Sequence, residues 1–181
     1  ILMIVEIPLW FAPSFYKIDL SELPVLIGSF AMGPLAGVMI ELIKVLLYLF
    51  IHGSSTGGVG DIANFIIGCA LIVPSALIYK RNKTRKSAII GMAVGTATLV
   101  IVGSLLNAFV LLPVYAKVFH MPVDALVQMG SAVNSSITNL NTFVIFAVAP
   151  FNLLKGVIVS TATTLIYKKI SPLFHNKMQK R

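Results

Sequence analysis

Four polar side chains stand inside apolar sequence, and they form two pairs with the same spacing. Glu41 and Lys44 are three positions apart in one apolar stretch, and Asn152 and Lys155 are three positions apart in a later one. Residues with this spacing lie on one face of a helix. An ionisable side chain within a membrane is costly, and it marks a functional site by default. We therefore expect each pair to present its polar groups to a common interior.

Two further amides, Asn64 and Asn107, also lie within apolar sequence. Together the six side chains would form a pocket of amides, one acid and two bases, which suits a neutral or mildly polar organic solute with many hydrogen-bonding groups. The alternative is structural. A Glu41–Lys44 or Glu41–Lys155 ion pair would then only hold helices together, and each Asn would only form a hydrogen bond between helices.

The composition of the chain indicates an integral membrane protein. Of its 181 residues, 57% are hydrophobic and 11% are charged, whereas soluble domains carry about 25% charged residues. The length fits a single membrane domain over residues 1–181. Ten of the 14 Lys and Arg residues lie in residues 80–86 and after residue 167. This clustering is typical of cytoplasmic segments and argues against a basic face that binds nucleic acid.

The apolar segments predict the helices that position these residues. Residues 1–12 are interpreted as the outer end of a first helix whose start is missing. Helices are predicted over residues 35–51, 62–79, 87–112 and 142–169, and a lid-like surface segment over 114–141. Residues 23–32 reach only about 15 Å, roughly half of a hydrocarbon core. With Gly33-Pro34 after them, they form either part of one kinked crossing or the first arm of a short hairpin.

No residue pattern indicates catalysis, nucleotide binding or a metal site. The glycine-rich run from Gly53 to Gly60 lacks the Lys-Ser/Thr that a phosphate-binding loop requires. His52 has Ser54 nearby but no orienting partner, so no nucleophile–base set is recognisable. His120 and His175 are too scattered to form a metal site with it. We therefore predict no catalytic residues and no metal ligands.

Several short motifs together resemble one known family, the riboflavin-specific substrate-binding (S) components of energy-coupling factor (ECF) transporters. The motifs extend over nearly the whole chain and are Ser21-Glu22-Leu23-Pro24, Gly33-Pro34-Leu35-Ala36-Gly37, Glu41-Leu42-Ile43-Lys44, the loop from Gly53 to Asp61, Asn107 before Leu-Leu-Pro-Val-Tyr, and Pro150-Phe151-Asn152-Leu153-Leu154-Lys155-Gly156.

The resemblance implies an all-α bundle of six transmembrane helices with a substrate pocket near the extracellular face. It favours the hairpin over the kinked crossing. It also implies a multi-pass protein of the bacterial cell membrane with both termini in the cytoplasm. The expected pocket residues are Asn152, Lys155, Asn107, Glu41, Lys44 and Asn64, and Leu20, Gly57 and Gly58 are expected in lid loops.

Riboflavin would be the transported ligand, and no cofactor is expected. The implied protein partners are a transmembrane coupling subunit and two ATPases, so that ATP hydrolysis would occur outside this chain. An S component for another vitamin is the alternative. A membrane-embedded enzyme and a structural scaffold are more distant ones.

Overall fold

The computed structural model describes residues 7–8, 17–54, 56–118, 120 and 122–178, and within them the fold is a bundle of helices. Six helices follow one another: α1 (Glu22–Met32), α2 (Pro34–His52), α3 (Val59–Arg81), α4 (Arg85–Val118), α5 (Val123–Ser131) and α6 (residues 140–178). The predicted all-α class is confirmed. A two-residue antiparallel pair, β1 (Ile7–Pro8) with β2 (Lys17–Ile18), precedes the helices.

The prediction of a helix over residues 1–12 is wrong where the structure describes it. Ile7 and Pro8 are extended and pair with Ile18 and Lys17. Pro8 removes a backbone donor and disfavours a helical conformation before it, which is compatible with a strand end. The rest of that predicted helix lies outside the described residues.

Four of the described helices are long and apolar enough to cross a membrane. They are α2, α3, α4 and the Leu140–Tyr167 part of α6, with mean hydropathies of 2.0 to 2.2. Their predicted positions are confirmed to within a few residues at most ends. The 11 residues of α1 and the nine of α5 are too short to cross alone.

Helices α1 and α2 form the predicted hairpin. Gly33 lies between them with φ 101°, a left-handed conformation that favours glycine, and its N–H donates to Ser29 O at 2.8 Å. Pro34 then occupies the first turn of α2, where a missing N–H costs nothing. Gly37 allows the two arms to touch, because a Cβ there would be 2.6 Å from the Ser29 side chain.

Two of the long helices contain a π-helical turn. The turn in α4 is Asn107–Leu111 and the turn in α6 is Val144–Val148, and Pro113 and Pro150 follow them two residues later. The prediction that a helix ends near Leu112 is therefore wrong, since α4 continues to Val118. The wider turn shifts the hydrogen-bond pattern just before a residue that has no N–H to donate. The first residues of the predicted lid segment therefore belong to α4, and α5 lies within the same segment.

The buried apolar residues form two clusters, one among α1, α3, α4 and α6 and one among β2, α5 and the ends of α4 and α6 that carry the π-helical turns. Close packing of α3 on α4 supports the first cluster. Ser75 Oγ donates to Leu71 O at 2.6 Å and to Gly91 O at 3.1 Å, which joins the two helices. Near the basic ends of α3 and α6, Phe30 from α1 packs on Tyr79 and Tyr167, with ring centroids 4.7 and 6.3 Å away. The two tyrosine hydroxyls are 2.5 Å apart.

The approach of α3 to α4 depends on Gly91, where a Cβ would lie 2.6 Å from Ser75 O. We expect Gly91→Val to lower the free energy of unfolding by about 1–3 kcal/mol, because overpacking must separate the two backbones. Thermal unfolding in detergent measures this. Ala97→Val, at an exposed position of α4, is the control and should leave the melting temperature nearly unchanged. Equal melting temperatures for the two variants would contradict close packing at residue 91.

Candidate ligand-binding site

Five charged side chains from four parts of the chain meet in one cluster. Lys44 Nζ on α2 is 2.9 Å from Glu22 Oε1 on α1 and 2.8 Å from Glu41 Oε1. Lys155 Nζ on α6 is 3.5 Å from Asp19 Oδ2 and 3.6 Å from Glu22 Oε1. We call these five residues the charged cluster. The carboxylate of Glu22 thus contacts both ammonium groups and stands at its centre.

Four members of the charged cluster are buried, and Lys44 is partly buried. Glu22 and Glu41 are 1% and 0% exposed, and Lys155 is 7% exposed. Taking a charge out of water is costly unless opposite charges and hydrogen bonds compensate it, so each member depends on its neighbours. Removing one partner would leave another buried charge unpaired.

The structure confirms part of the sequence-based interpretation of the charges. The ion pair between Glu41 and Lys44 is present, and Lys155 does reach the same cluster. A Glu41–Lys155 pair is not observed among the described residues. The partners of Lys155 there are Asp19 and Glu22. The contact between Glu41 and Lys44 and the burial of Glu41 are compatible with a purely structural ion pair and also with the wall of a pocket.

Asp19 and Glu22 belong to the charged cluster, although the residues predicted from the sequence do not include them. Both acids lie just before an apolar segment, where acids are ordinary and composition does not set them apart. A usable signal was present in the hairpin register. Glu22 and Lys44 are equally far from the turn at Gly33, so an antiparallel hairpin must bring them side by side.

Asp19 lies on the short segment before α1, and its environment fixes its charge. Burial alone would raise the pKa of this carboxyl group, but Lys155 and the hydrogen bonds from Ser21 outweigh burial and lower the pKa below its usual value. The backbone N–H of Ser21 donates to Asp19 Oδ1 at 2.7 Å. Asp19 therefore remains ionised at neutral pH and holds the 17–21 segment against Lys155.

Two amides meet at a glycine on α4. Asn107 Nδ2 donates to Gly103 O at 2.8 Å, and the Asn152 side chain lies against Gly103 from α6. A Cβ on Gly103 would be 2.7 Å from Asn152 Nδ2, so glycine leaves the room that this amide occupies. Asn152 Nδ2 is buried and has no hydrogen-bond partner among the described residues. A buried amide donor without a partner is costly and invites a ligand acceptor.

Helix α6 joins the amide pair to the charged cluster. Asn152 and Lys155 are one turn apart on it, and both are buried, as their spacing predicted. Asn152 contacts α4, whereas Lys155 contacts α1 and the segment before it. Both helices that carry amides contain their π-helical turn close to the amide, and such turns are frequent at functional sites.

No hydrogen bond or ion pair of the described residues joins the remaining predicted site residues to this centre. Asn64 is half-buried on α3. Leu20 O accepts from Leu23 N–H at 3.1 Å and so begins α1. Gly57 and Gly58 adopt positive φ values of 61° and 89° in the turn before α3, and Gly58 N–H donates to Ser54 Oγ at 2.7 Å. Their predicted roles in binding and in lid loops stay predictions.

The described part of the chain shows no cluster typical of a metal site. Its His, Cys, Asp and Glu side chains form no group of three or more that could hold one. In the charged cluster, the space between the carboxylates is taken by the Lys44 ammonium, which lies on Glu22 and Glu41 together.

The fold and the site together define a helical membrane protein whose interior contains buried amides and ion-paired side chains. The family described as "ECF transporter, substrate-specific component" matches residues 1–167. The chain belongs to this family of transporter components, which are not enzymes.

Several proteins similar to this chain are known. It is 35% identical over 173 residues to the riboflavin transporter FmnP of Bacillus subtilis (strain 168), a match that covers 95% of this chain and 85% of that protein. It is 34% identical over 172 residues to the riboflavin transporter RibU of Staphylococcus aureus (strain TCH60), covering 94% and 83%. A solved structure reported as the S component of a bacterial ECF transporter superposes with a TM-score of 0.72 at 30% identity, covering 95% of this chain and 88% of that one.

The lowered pKa of Asp19 predicts how the stability of the protein changes at acidic pH. The stabilisation from this group is complete above its unfolded-state pKa of about 3.9 and is lost as the pH falls through the lower folded-state value. Asp19→Asn should lower the free energy of unfolding at neutral pH by about 1–3 kcal/mol, because it removes a charge-assisted contact with Lys155.

Thermal unfolding measured from neutral to acidic pH tests this expectation. The melting temperatures of Asp19→Asn and the unsubstituted protein should converge as the pH falls. Asp124→Asn, at an exposed position of α5, is the matched control and should follow the unsubstituted protein throughout. A constant gap between the Asp19→Asn and unsubstituted curves would contradict the assignment.

Proposed function

We propose that this chain is the riboflavin-capturing subunit of an ECF-type importer and that the vitamin binds beside Asn152. The observation that carries the proposal is the buried Asn152 Nδ2, which has no partner among the described residues and lies beside Asn107 and one turn from Lys155. The family and the names of the matched relatives support riboflavin as the ligand.

The chemistry of the site fits this vitamin. Riboflavin combines a flat apolar ring system, a pyrimidine edge with donors and acceptors, and a chain of hydroxyl groups. An Asn amide both donates and accepts, so Asn107 and Asn152 suit the pyrimidine edge. The Lys155 ammonium suits a hydroxyl or carbonyl oxygen. Apolar side chains from the helix ends would cover the rings.

The charge balance of the cluster favours a neutral ligand, and the members of the cluster have different roles. Its three carboxylates already outnumber its two ammonium groups, so it has no spare positive charge for an anion. Glu22 and Asp19 position Lys155, and Lys44 holds Glu22 in turn. Glu41 and Lys44 would thus form the wall behind the pocket, and Asn64 stays a candidate for its α3 side.

The distribution of charge supports a pocket near the extracellular face. Residues 80–86 are all exposed, and five of these seven are basic, so we place this end of α3 and α4 in the cytoplasm. Gly68, which lies against Glu41 and Glu22, is nearer the start of α3 than its basic end. The cluster then belongs to the outer half of a bacterial cell membrane, and the chain would have both termini in the cytoplasm.

The proposed partners are a transmembrane coupling subunit and two ATPases, because members of this family are substrate-specific components of ECF transporters. The chain would capture the vitamin outside, and ATP hydrolysis in the partners would drive its delivery. Leu20, Gly57 and Gly58 lie in segments flanking α1 and α3, where loop closure over the pocket would occur.

Quenching of flavin fluorescence by the purified protein tests the ligand and the site together. Asn152→Ala and Lys155→Ala should each weaken riboflavin binding by roughly 5- to 150-fold, since each removes hydrogen bonds worth about 1–3 kcal/mol. Asn82→Ala and Lys86→Ala, both exposed within the basic residues 80–86, are matched controls and should bind normally.

Two results would contradict the proposal in different ways. Absence of quenching, with a thermal shift caused by a different vitamin, would leave the family assignment but replace the ligand. Normal quenching by both the Asn152 and the Lys155 variants would keep the ligand but move the site elsewhere.

Gly103 provides an independent test of the Asn152 amide. Gly103→Ala should displace that amide and lower riboflavin affinity by about as much as Asn152→Ala, because the new Cβ would be 2.7 Å from Nδ2. The double variant should bind no more weakly than Asn152→Ala alone, since the two changes act on one contact. Leu105→Ala, on the exposed side of α4, is the control. Additive losses would show that Gly103 acts by another route.

A further inference from the structure

The charged cluster contains one more acid than base. Its acids are Asp19, Glu22 and Glu41, and its bases are Lys44 and Lys155. With every group ionised, the cluster would carry one net negative charge. Such a charge is expensive in a membrane interior, where no water screens it, so the excess requires compensation.

The packed elements supply no further cation within the described residues. The segment before α1 contributes Asp19, α1 contributes Glu22, and α2 contributes Glu41 and Lys44. Helix α6 contributes Lys155. The α3 side contributes the Cys69 thiol and the backbone at Gly68, neither of which carries positive charge.

The excess charge is localised on Glu22 and Glu41. Both carboxylates lie on the same Lys44 ammonium, at 2.9 and 2.8 Å. Both also border the space left by Gly68, where a Cβ would overlap Glu41 Oε1 and lie 3.3 Å from Glu22 Oε2. Two carboxylates that share one ammonium group and border one small buried space do not both ionise readily.

Buried carboxylate oxygens of the two glutamates have no hydrogen-bond donor among the described residues. Glu22 Oε2 and Glu41 Oε2 are buried and have no hydrogen-bond partner among the described residues. Glu41 Oε1 is close to Lys44 but outside hydrogen-bonding alignment, so that contact is ionic. Ionised carboxylates can only accept, whereas a carboxylic acid can donate. A proton between the two side chains would give a buried oxygen a donor.

We propose that the Glu22–Glu41 pair binds one proton at neutral pH and that Glu41 carries it. Glu22 contacts both Lys44 and Lys155, which stabilise its ionised form, whereas Glu41 contacts Lys44 alone. The bound proton brings the net charge of the cluster to zero. Glu22 then remains the carboxylate that joins the two lysines, and the pocket wall is electrically neutral.

Infrared difference spectroscopy of the ligand-free protein in detergent detects such a proton directly. At neutral pH we expect a C=O stretching band of a protonated carboxylic acid, which shifts in D2O and disappears in Glu41→Gln. Because the measurement needs no vitamin, its result is separate from that of the flavin-binding tests. Absence of the band in the unsubstituted protein at neutral pH would overturn the proposal.

Thermal stability of two isosteric variants distinguishes the two acids. Glu41→Gln mimics the protonated acid and should melt near the unsubstituted protein at neutral pH, whereas Glu22→Gln should melt clearly lower because it removes the carboxylate between two lysines. Equal destabilisation by the two substitutions, or a greater loss in Glu41→Gln, would overturn the assignment to Glu41.

The pH dependence has a defined sign. A proton held by the folded state and released by the unfolded state stabilises the fold, and this contribution is lost as the pH rises through the point of release. The unsubstituted protein should therefore lose melting temperature toward alkaline pH more steeply than Glu41→Gln. Parallel curves would contradict the bound proton. A melting temperature that depends on sodium ions and not on pH would mean that a metal cation compensates the charge instead.

Discussion

The contact of one ammonium group with two carboxylates is the constraint on which this end of the bundle depends. Lys44 holds Glu41 on its own helix and Glu22 on α1, and so fixes the register of the hairpin. Through Glu22 the same network reaches Lys155 on α6. A short helix that cannot span the membrane alone is thereby tied to two helices that can. Breaking a buried network of this kind is strongly destabilising, because the partner left behind is an unpaired charge.

The π-helical turns provide a second constraint, which acts on the amides. A turn of this kind contains one residue more than an α-helical turn, so it changes the face that later side chains present. Asn107 opens the turn in α4, and Asn152 follows the turn in α6 by four residues. The two helices can then direct amides to the same glycine, although they pack along much of their length through small and apolar residues.

Much of the site was predictable because its residues contrast with their surroundings. Glu41, Lys44, Asn152 and Lys155 stand out in apolar sequence, and helical spacing alone pairs them. Asp19 and Glu22 do not stand out, because they lie at a boundary where acids are ordinary. Their role depends on how the chain folds back at residue 33, and hydropathy has no information about that choice; only the family resemblance indicated the hairpin.

The errors in the fold have a similar origin. A proline usually ends a helix, so the continuation of α4 beyond Pro113 contradicts a sound local rule. The exception depends on one extra residue in the preceding turn, which leaves no trace in composition or periodicity. Likewise, the strand at Ile7–Pro8 is specified by its partner at Lys17–Ile18, and a short pairing of this kind is a tertiary feature rather than a local preference.

The aromatic contact at the other end of α1 has a mechanical consequence. Phe30 is wedged against Tyr79 and Tyr167, whose hydroxyl groups join α3 to α6, while Glu22 is tied at the opposite end of the same short helix. Helix α1 is thus fixed at two points about two turns apart. A rod held at both ends neither tilts nor slides easily, so α1 keeps one position against α3 and α6.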